Sequence, residues 1–180
     1  MGRNDWFEPE YFELLSAFLA REVRFLIIGG YAVGFYGVLR GTKDLDLWIE
    51  VSPDNAQRIR AAIDDLGFVA DSLTLEVLLD PGFNIEVGTP PVVVELIKRI
   101  AAPPFEDCYA RRQLVEFQGL TLPFLQLEDL IESKARAHRY KDLDDIARLT
   151  GTTAPETKNP RAGRQRGFWV RVRGWFTADR

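Results

Sequence analysis

The chain begins with a helical rhythm and then changes to short apolar runs broken by glycine, proline and paired acids. In residues 8–21 (EPEYFELLSAFLAR), Phe12, Leu14, Leu15, Phe18 and Leu19 recur at helical spacing and predict an amphipathic opening helix. Residues 25–28 form a continuous apolar run ending at Gly29-Gly30, as a short buried strand would. A helix is expected over 31–39, with Gly34 and Gly37 allowing close packing at some cost in stability. Residues 43–51 read as a second strand. Side chains alternate faces along it, so Asp44 and Asp46 point one way while Leu45, Leu47 and Ile49 point the other.

Ser52-Pro53 supplies an N-cap and a first-turn proline for a helix that runs to Leu66 and stops at Gly67. Asp80-Pro81-Gly82 marks a turn, residues 83–87 a strand, Thr89-Pro90-Pro91 a break, and residues 92–97 (VVVELI) a further strand. An acid, Glu95, inside that apolar β-branched run is unusual. Residues 101–115 and 127–149 read as helical, the second breaking near Arg139-Tyr140. The order implies an α+β fold: a small mixed β-sheet with helices packed on it, then a helical C-terminal portion. On this reading residues 1–100 form the core and 101–150 a helical part of the same unit. Residues 151–180 form a basic, aromatic-containing tail beyond the folded unit. No internal repeat is present.

At 180 residues and 46% hydrophobic, the chain can bury one good core. The net charge of −4 names no partner, but its distribution is uneven. Residues 158–180 hold seven basic side chains (Lys158, Arg161, Arg164, Arg166, Arg171, Arg173 and Arg180) against one acid, Asp179. Residues 1–157 are left with 16 basic and 26 acidic groups. Cys108 is the only cysteine, which rules out an internal disulfide and a cysteine-based structural zinc site. No apolar stretch approaches the roughly 20 residues that span a bilayer, and the first residues lack a signal-peptide pattern. A cytoplasmic location without membrane contact is the expectation.

Two carboxylates on one strand face repel unless a positive group lies between them, and an oxygen-preferring ion such as Mg²⁺ is the natural one. A Gly-Gly pair can bring bare backbone N–H groups close to an anion. Alone, the glycine pair is a tight turn and the acid pair a solvated strand face. Together, on successive elements, they place phosphate donors and metal ligands at one end of a sheet, which suggests chemistry on a nucleoside triphosphate.

The stretch IIGGYAVGFYGVLRGTKDLDLWI resembles the nucleotidyltransferase superfamily, in which Gly-Gly and a spacer precede an acid, an apolar residue and an acid. It is most similar to the small bacterial branch near the AbiEii-type toxins, whose Arg-x-Thr-x-Asp-x-Asp string reads here Arg40-Gly41-Thr42-Lys43-Asp44-Leu45-Asp46. The resemblance implies Asp44, Asp46 and Glu95 as metal-binding and catalytic carboxylates for Mg²⁺, with Glu86 as fallback. It implies Gly29, Gly30, Tyr31, Arg40 and Thr42 as the nucleotide-binding segment. Tyr31 stands where classical members carry Ser, which leaves the backbone to hold phosphate. Downstream, LEDLIESK followed by RYKDLDD is similar to the family's Lys…Arg-x-Lys-Asp-x-x-Asp pattern. That likeness implies Lys134 as a triphosphate-neutralising cation and Asp142 as a catalytic orienting acid. Asp144 and Asp145 read as solvated.

The single histidine, His138, lies in a charged helical segment and reads as a surface residue. Ser16, Ser52, Ser72 and Ser133 have no motif around them, so a serine triad lacks support. A dinucleotide-binding turn fails because Tyr31 occupies its second glycine position. The Arg-aromatic tail, with Phe168, Trp169, Trp175 and Phe176, suits RNA contact, a strand docked on the body, or a disordered extension.

The implied activity is Mg²⁺-dependent transfer of a nucleoside monophosphate from an NTP to an acceptor hydroxyl, releasing pyrophosphate. The acceptor would be tRNA, a protein or a small molecule; a toxin-like role on tRNA would add a cognate antitoxin as partner. The alternative is a degenerate fold that binds a nucleotide or a protein without turnover.

Overall fold

The computed structural model describes residues 7–38, 42, 44–68, 71–152 and 168–172. Helix α1 (Pro9–Ala20) starts with proline in its first turn and buries Tyr11, Leu14, Leu15 and Phe18. Tyr11 rather than Phe12 heads that stripe, at the i, i+3, i+4, i+7 spacing. Strand β1 (Phe25–Ile27) leads into α2 (Gly29–Phe35), which starts on the glycine pair itself rather than after it. Strand β2 (Asp44–Ile49) then returns antiparallel to β1.

Helix α3 (Pro53–Asp65) opens on Ser52, whose side chain accepts from the Asn55 N–H at 3.2 Å. Asn55 is buried and ties β1 to the end of β2: its Nδ2 donates to the Arg24 and Glu50 carbonyls, and its Oδ1 accepts from the Arg24 N–H. A short helix, α4 (Leu75–Leu79), is capped by Thr74. The hairpin β3 (Phe83–Thr89) and β4 (Val92–Ile97) turns at Pro90-Pro91, so the expected break is the hairpin's own turn.

Residues 101–115 are not one helix, and residues 101–150 are not wholly helical. Only α5 (Phe105–Ala110) is helical, and β5 (Gln113–Phe117) and β6 (Leu120–Phe124) form an antiparallel hairpin. Its two-residue turn, Gln118-Gly119, has both residues at positive φ (49° and 84°), the conformation that suits a tight hairpin. Helices α6 (Leu127–Ala137) and α7 (Tyr140–Thr150) break at His138-Arg139 as expected, and α7 stops at Gly151 with φ 68°.

The tail does not lie wholly outside the fold. Residues 168–172 form β7 (Phe168–Val172), which pairs in parallel with β3 and buries Val172. Residues 153–167 and 173–180, including Trp175 and Phe176, lie outside the described residues. The sheet order is β5-β6-β1-β2-β4-β3-β7, with mixed directions. One face of its centre, carrying Leu45, Leu47, Ile85, Val87, Val94 and Leu96, is fully buried, and α1 and α3 pack together in that core layer. The opposite face carries the acids. Among the described residues no helix is long and apolar enough to cross a membrane.

Candidate active site

Strands β2 and β4 run parallel, and their register sets Asp46 directly beside Glu95. Antiparallel β3 adds Glu86 on the far side of Glu95, so three carboxylates form one row across three strands. Asp44 lies two residues before Asp46, on the same face. The alternation read from the sequence therefore holds: Leu45 and Leu47 go to the core and the acids to the open face.

Asp46 and Glu95 are joined by a side-chain hydrogen bond, and two carboxyl groups can make one only by sharing a proton. Burial pushes Asp46 above the usual carboxylate range, partly offset by its interaction with Glu95. Glu95 is pushed up to about 7, first by burial and then by the charges of Asp46 and Asp44. Without a cation, protonation of Glu95 is favoured up to about pH 7.

The glycine pair is built against these acids. The Ile28 N–H donates to the Asp46 carbonyl at 3.0 Å, which fixes the end of β1 on β2. Gly29 follows at φ 64°, and a Cβ there would lie 1.7 Å from Asp46 Oδ2. Both the backbone conformation and the space demand glycine. A Cβ on Gly30 would lie 2.4 Å from Thr42 Oγ1, so Thr42 closes the other side of the turn, where its hydroxyl donates to the Asp44 carbonyl at 3.1 Å. Arg40 lies outside the described residues.

Tyr31 sets its ring in the apolar layer, while the Asp44 charge still reaches its hydroxyl. Its ring is buried, stacked on Phe7 at 4.8 Å and edge-on to Tyr11 at 5.9 Å, so the apolar layer holds its side chain. Tyr11 comes closer to the site than its helical position suggested. Its hydroxyl accepts from the Val93 N–H at 3.3 Å, and the Asp44 charge adds to the burial that pushes it up to about 12.

Lys134 and Asp142 come together in a network between α6 and α7. Lys134 Nζ lies 2.6 Å from Asp145 and 3.5 Å from Asp142, and Arg139 holds Asp142 at 2.6 and 3.3 Å. Asp145, expected to be solvated, is buried and is the nearest partner of Lys134. Asp144 does face solvent and pairs with Arg148. The difference comes from helical phase. Asp142 and Asp145, three residues apart, share the face that meets α6, and Asp144 does not. Lys134 is 7% exposed, yet its charge reaches Asp46, as does that of Lys141. Lys141 is a further charge beside the site; its place before Asp142 in the downstream string was the available signal. His138 is exposed, with Nδ1 2.6 Å from the Ala135 carbonyl, and belongs to the α6 C-cap.

Among the described residues no three acidic, histidine or cysteine side chains are gathered as a ready-made metal cluster. The close element is the Asp46–Glu95 pair, flanked by Asp44 and Glu86. This donor set still fits Mg²⁺: it is all oxygen, and a cation would relieve the mutual repulsion that raises Glu95.

No curated protein matches the chain. The matching family model is described as "Nucleotidyltransferase of unknown function (DUF6036)". It covers residues 12–150, from within α1 to the end of α7, and so takes in the acid row, the glycine turn and the α6–α7 network; the chain belongs to this nucleotidyltransferase family.

Proposed function

We propose that the protein transfers a nucleoside monophosphate from a Mg²⁺-bound NTP to an acceptor hydroxyl and releases pyrophosphate. The observation that carries this reading is the Asp46–Glu95 pair, in register on adjacent strands with Gly29 packed against Asp46. Asp46 and Glu95, with Asp44 beside them, would hold the ion. Bound there, Mg²⁺ would offset the negative charge of the triphosphate and of the departing pyrophosphate.

The rest falls to the chain's own groups. The Gly29-Gly30 backbone, without side chains, lets a phosphate approach the carboxylates closely. Thr42 fixes the start of β2 and with it the position of Asp44. Lys134, held by Asp142 and Asp145, adds fixed positive potential behind the acids. The acceptor oxygen forms the new bond to the α-phosphorus as the bond to the β-phosphate oxygen breaks. That electron pair leaves with pyrophosphate, and the hydroxyl proton passes to solvent. Such a reaction is driven by positioning and charge, so no nucleophilic side chain is required.

A second reading, nucleotide binding without turnover, draws on one observation: no three-ligand metal cluster is preformed among the described residues. Pyrophosphate release from each Mg²⁺–NTP in the presence of cell extract separates the two. Release that is lost in Asp46→Asn supports transfer; binding without release in every mixture supports the inactive module. We favour tRNA as the acceptor because the acidic body carries a basic, aromatic tail and because residues 40–46 and 134–145 resemble AbiEii-type toxins. Growth arrest on expression, relieved by Asp46→Asn, is the expected result. Labelling of protein or of a small molecule instead would reassign the acceptor.

A further inference from the structure

The family match ends at residue 150, and strand β7 lies beyond it. Its parallel pairing with β3 sets Ile85 beside Val170, Glu86 beside Arg171 and Val87 beside Val172. Ile85, Val87 and Val172 are buried in the core layer. Strand alternation therefore gives Arg171 a position on the other face, the one that carries Glu86, Glu95 and Asp46. Trp169, in register with Asn84, shares that face. The row of three acids thus ends on a basic residue, two strands or roughly 10 Å of sheet beyond Glu95. Lys158, Arg161, Arg164 and Arg166 precede β7 in the chain, and Arg173 and Arg180 follow it.

Resting on the nucleotidyltransferase reading, we propose that β7 fastens the basic tail at the acceptor side of the acid row, where Trp169 and Arg171 receive a base and a backbone phosphate of an RNA acceptor. Gly29 follows β1 and packs on Asp46, so a triphosphate cradled there meets the acids from the β1 side. In-line displacement puts the attacking hydroxyl opposite the departing pyrophosphate. The acceptor then enters from the other side, over β4, β3 and β7. A polyanion on that path needs cations, and residues 1–157 carry 16 basic against 26 acidic groups. Arginine next to an aromatic residue suits RNA, whose phosphates take a guanidinium and whose bases stack. Val172 is the anchor: its burial beside β3 holds the strand without using any of the tail's charges.

The test is fluorescence anisotropy of the full chain with labelled, deacylated bulk tRNA over a range of salt, beside titrations with the Mg²⁺ complexes of ATP, GTP, CTP and UTP. Arg171→Ala is expected to weaken tRNA binding about threefold to tenfold and to lower the salt slope by about 1, without lowering NTP affinity. Arg171→Lys should keep most of the binding. Arg161→Ala removes the same charge outside the strand and should cost clearly less. Val172→Asn keeps every charge of the tail but puts an amide in the buried position, and it should weaken tRNA binding as Arg171→Ala does. Melting curves confirm that each variant keeps the body folded. Equal losses in Arg171→Ala and Arg161→Ala, or wild-type tRNA binding by Val172→Asn, would reduce the tail to diffuse charge and overturn this inference alone. A wild-type protein that binds NTP and labels protein but holds no tRNA would do the same. Failure to bind any Mg²⁺–NTP overturns the transfer reading, and the acceptor role with it, whatever the tRNA result.

Discussion

Replacing Glu95 by Gln removes one charge from the centre of the acid row and keeps the side chain's shape. In the metal-free protein Glu95 is raised from 4.5 to about 7, first by burial and then by the charges of Asp46 and Asp44. Between those two values the unfolded chain has lost this proton while the folded chain keeps it. Stability from this group is therefore full below about pH 4.5 and lost as pH rises through about 7. At face value the shift corresponds to about 3 kcal/mol. The site is half open to solvent, and screening reduces the expected effect to about 1–2 kcal/mol. The assay is urea unfolding of wild type and Glu95→Gln at about pH 5 and about pH 8, each with and without millimolar Mg²⁺. Without metal, the variant should equal wild type near pH 5 and exceed it by about 1–2 kcal/mol near pH 8. Added Mg²⁺ should stabilise wild type near pH 8 and act much less on the variant, because it replaces the repulsion that Gln has already removed. A variant less stable than wild type near pH 8 without metal, or stabilised by Mg²⁺ as much as wild type, would refute this account of the pair.

Gly29→Ala should lose nucleotidyl transfer and destabilise the fold by at least about 1–2 kcal/mol from the left-handed backbone alone, since the new methyl also drives into Asp46; chemical denaturation and transfer assays check both. Lys134→Met should cost about 3–5 kcal/mol, because it removes a buried ammonium from between the buried carboxylates of Asp142 and Asp145, and this loss appears in unfolding experiments without any nucleotide. A Lys134→Met protein of wild-type stability would show that the α6–α7 network is not structural.

The site's centre was legible because strand periodicity is strict. Once residues 43–51 are a strand, Asp44 and Asp46 must share a face, and the apolar company of Glu95 marks its strand as internal. The pairing of Asp46 with Glu95 was not legible, since register between strands distant in sequence depends on packing of the whole sheet. The β5–β6 hairpin was missed because Gln-Gly is a weaker turn signal than Asn-Gly, and Phe105, Cys108 and Tyr109 lend residues 101–115 a helical look. The fate of Asp145 was missed for a different reason. Its burial depends on a partner, Lys134, eleven residues away on another helix, and acid-rich helices ordinarily face water. Strand β7 was one of three readings for the tail. Arg-aromatic composition alone does not reveal that Val172 would find a buried place beside β3.

The most direct test of nucleotidyl transfer is to supply the protein and Mg²⁺ with NTP labelled on the α-phosphate in one reaction and on the γ-phosphate in another, together with cell extract. The α-label should enter a macromolecule in wild type and not in Asp46→Asn, while the γ-label should appear only in pyrophosphate. Transfer of the γ-label instead, or incorporation of the α-label that persists in Asp46→Asn, would contradict the assignment.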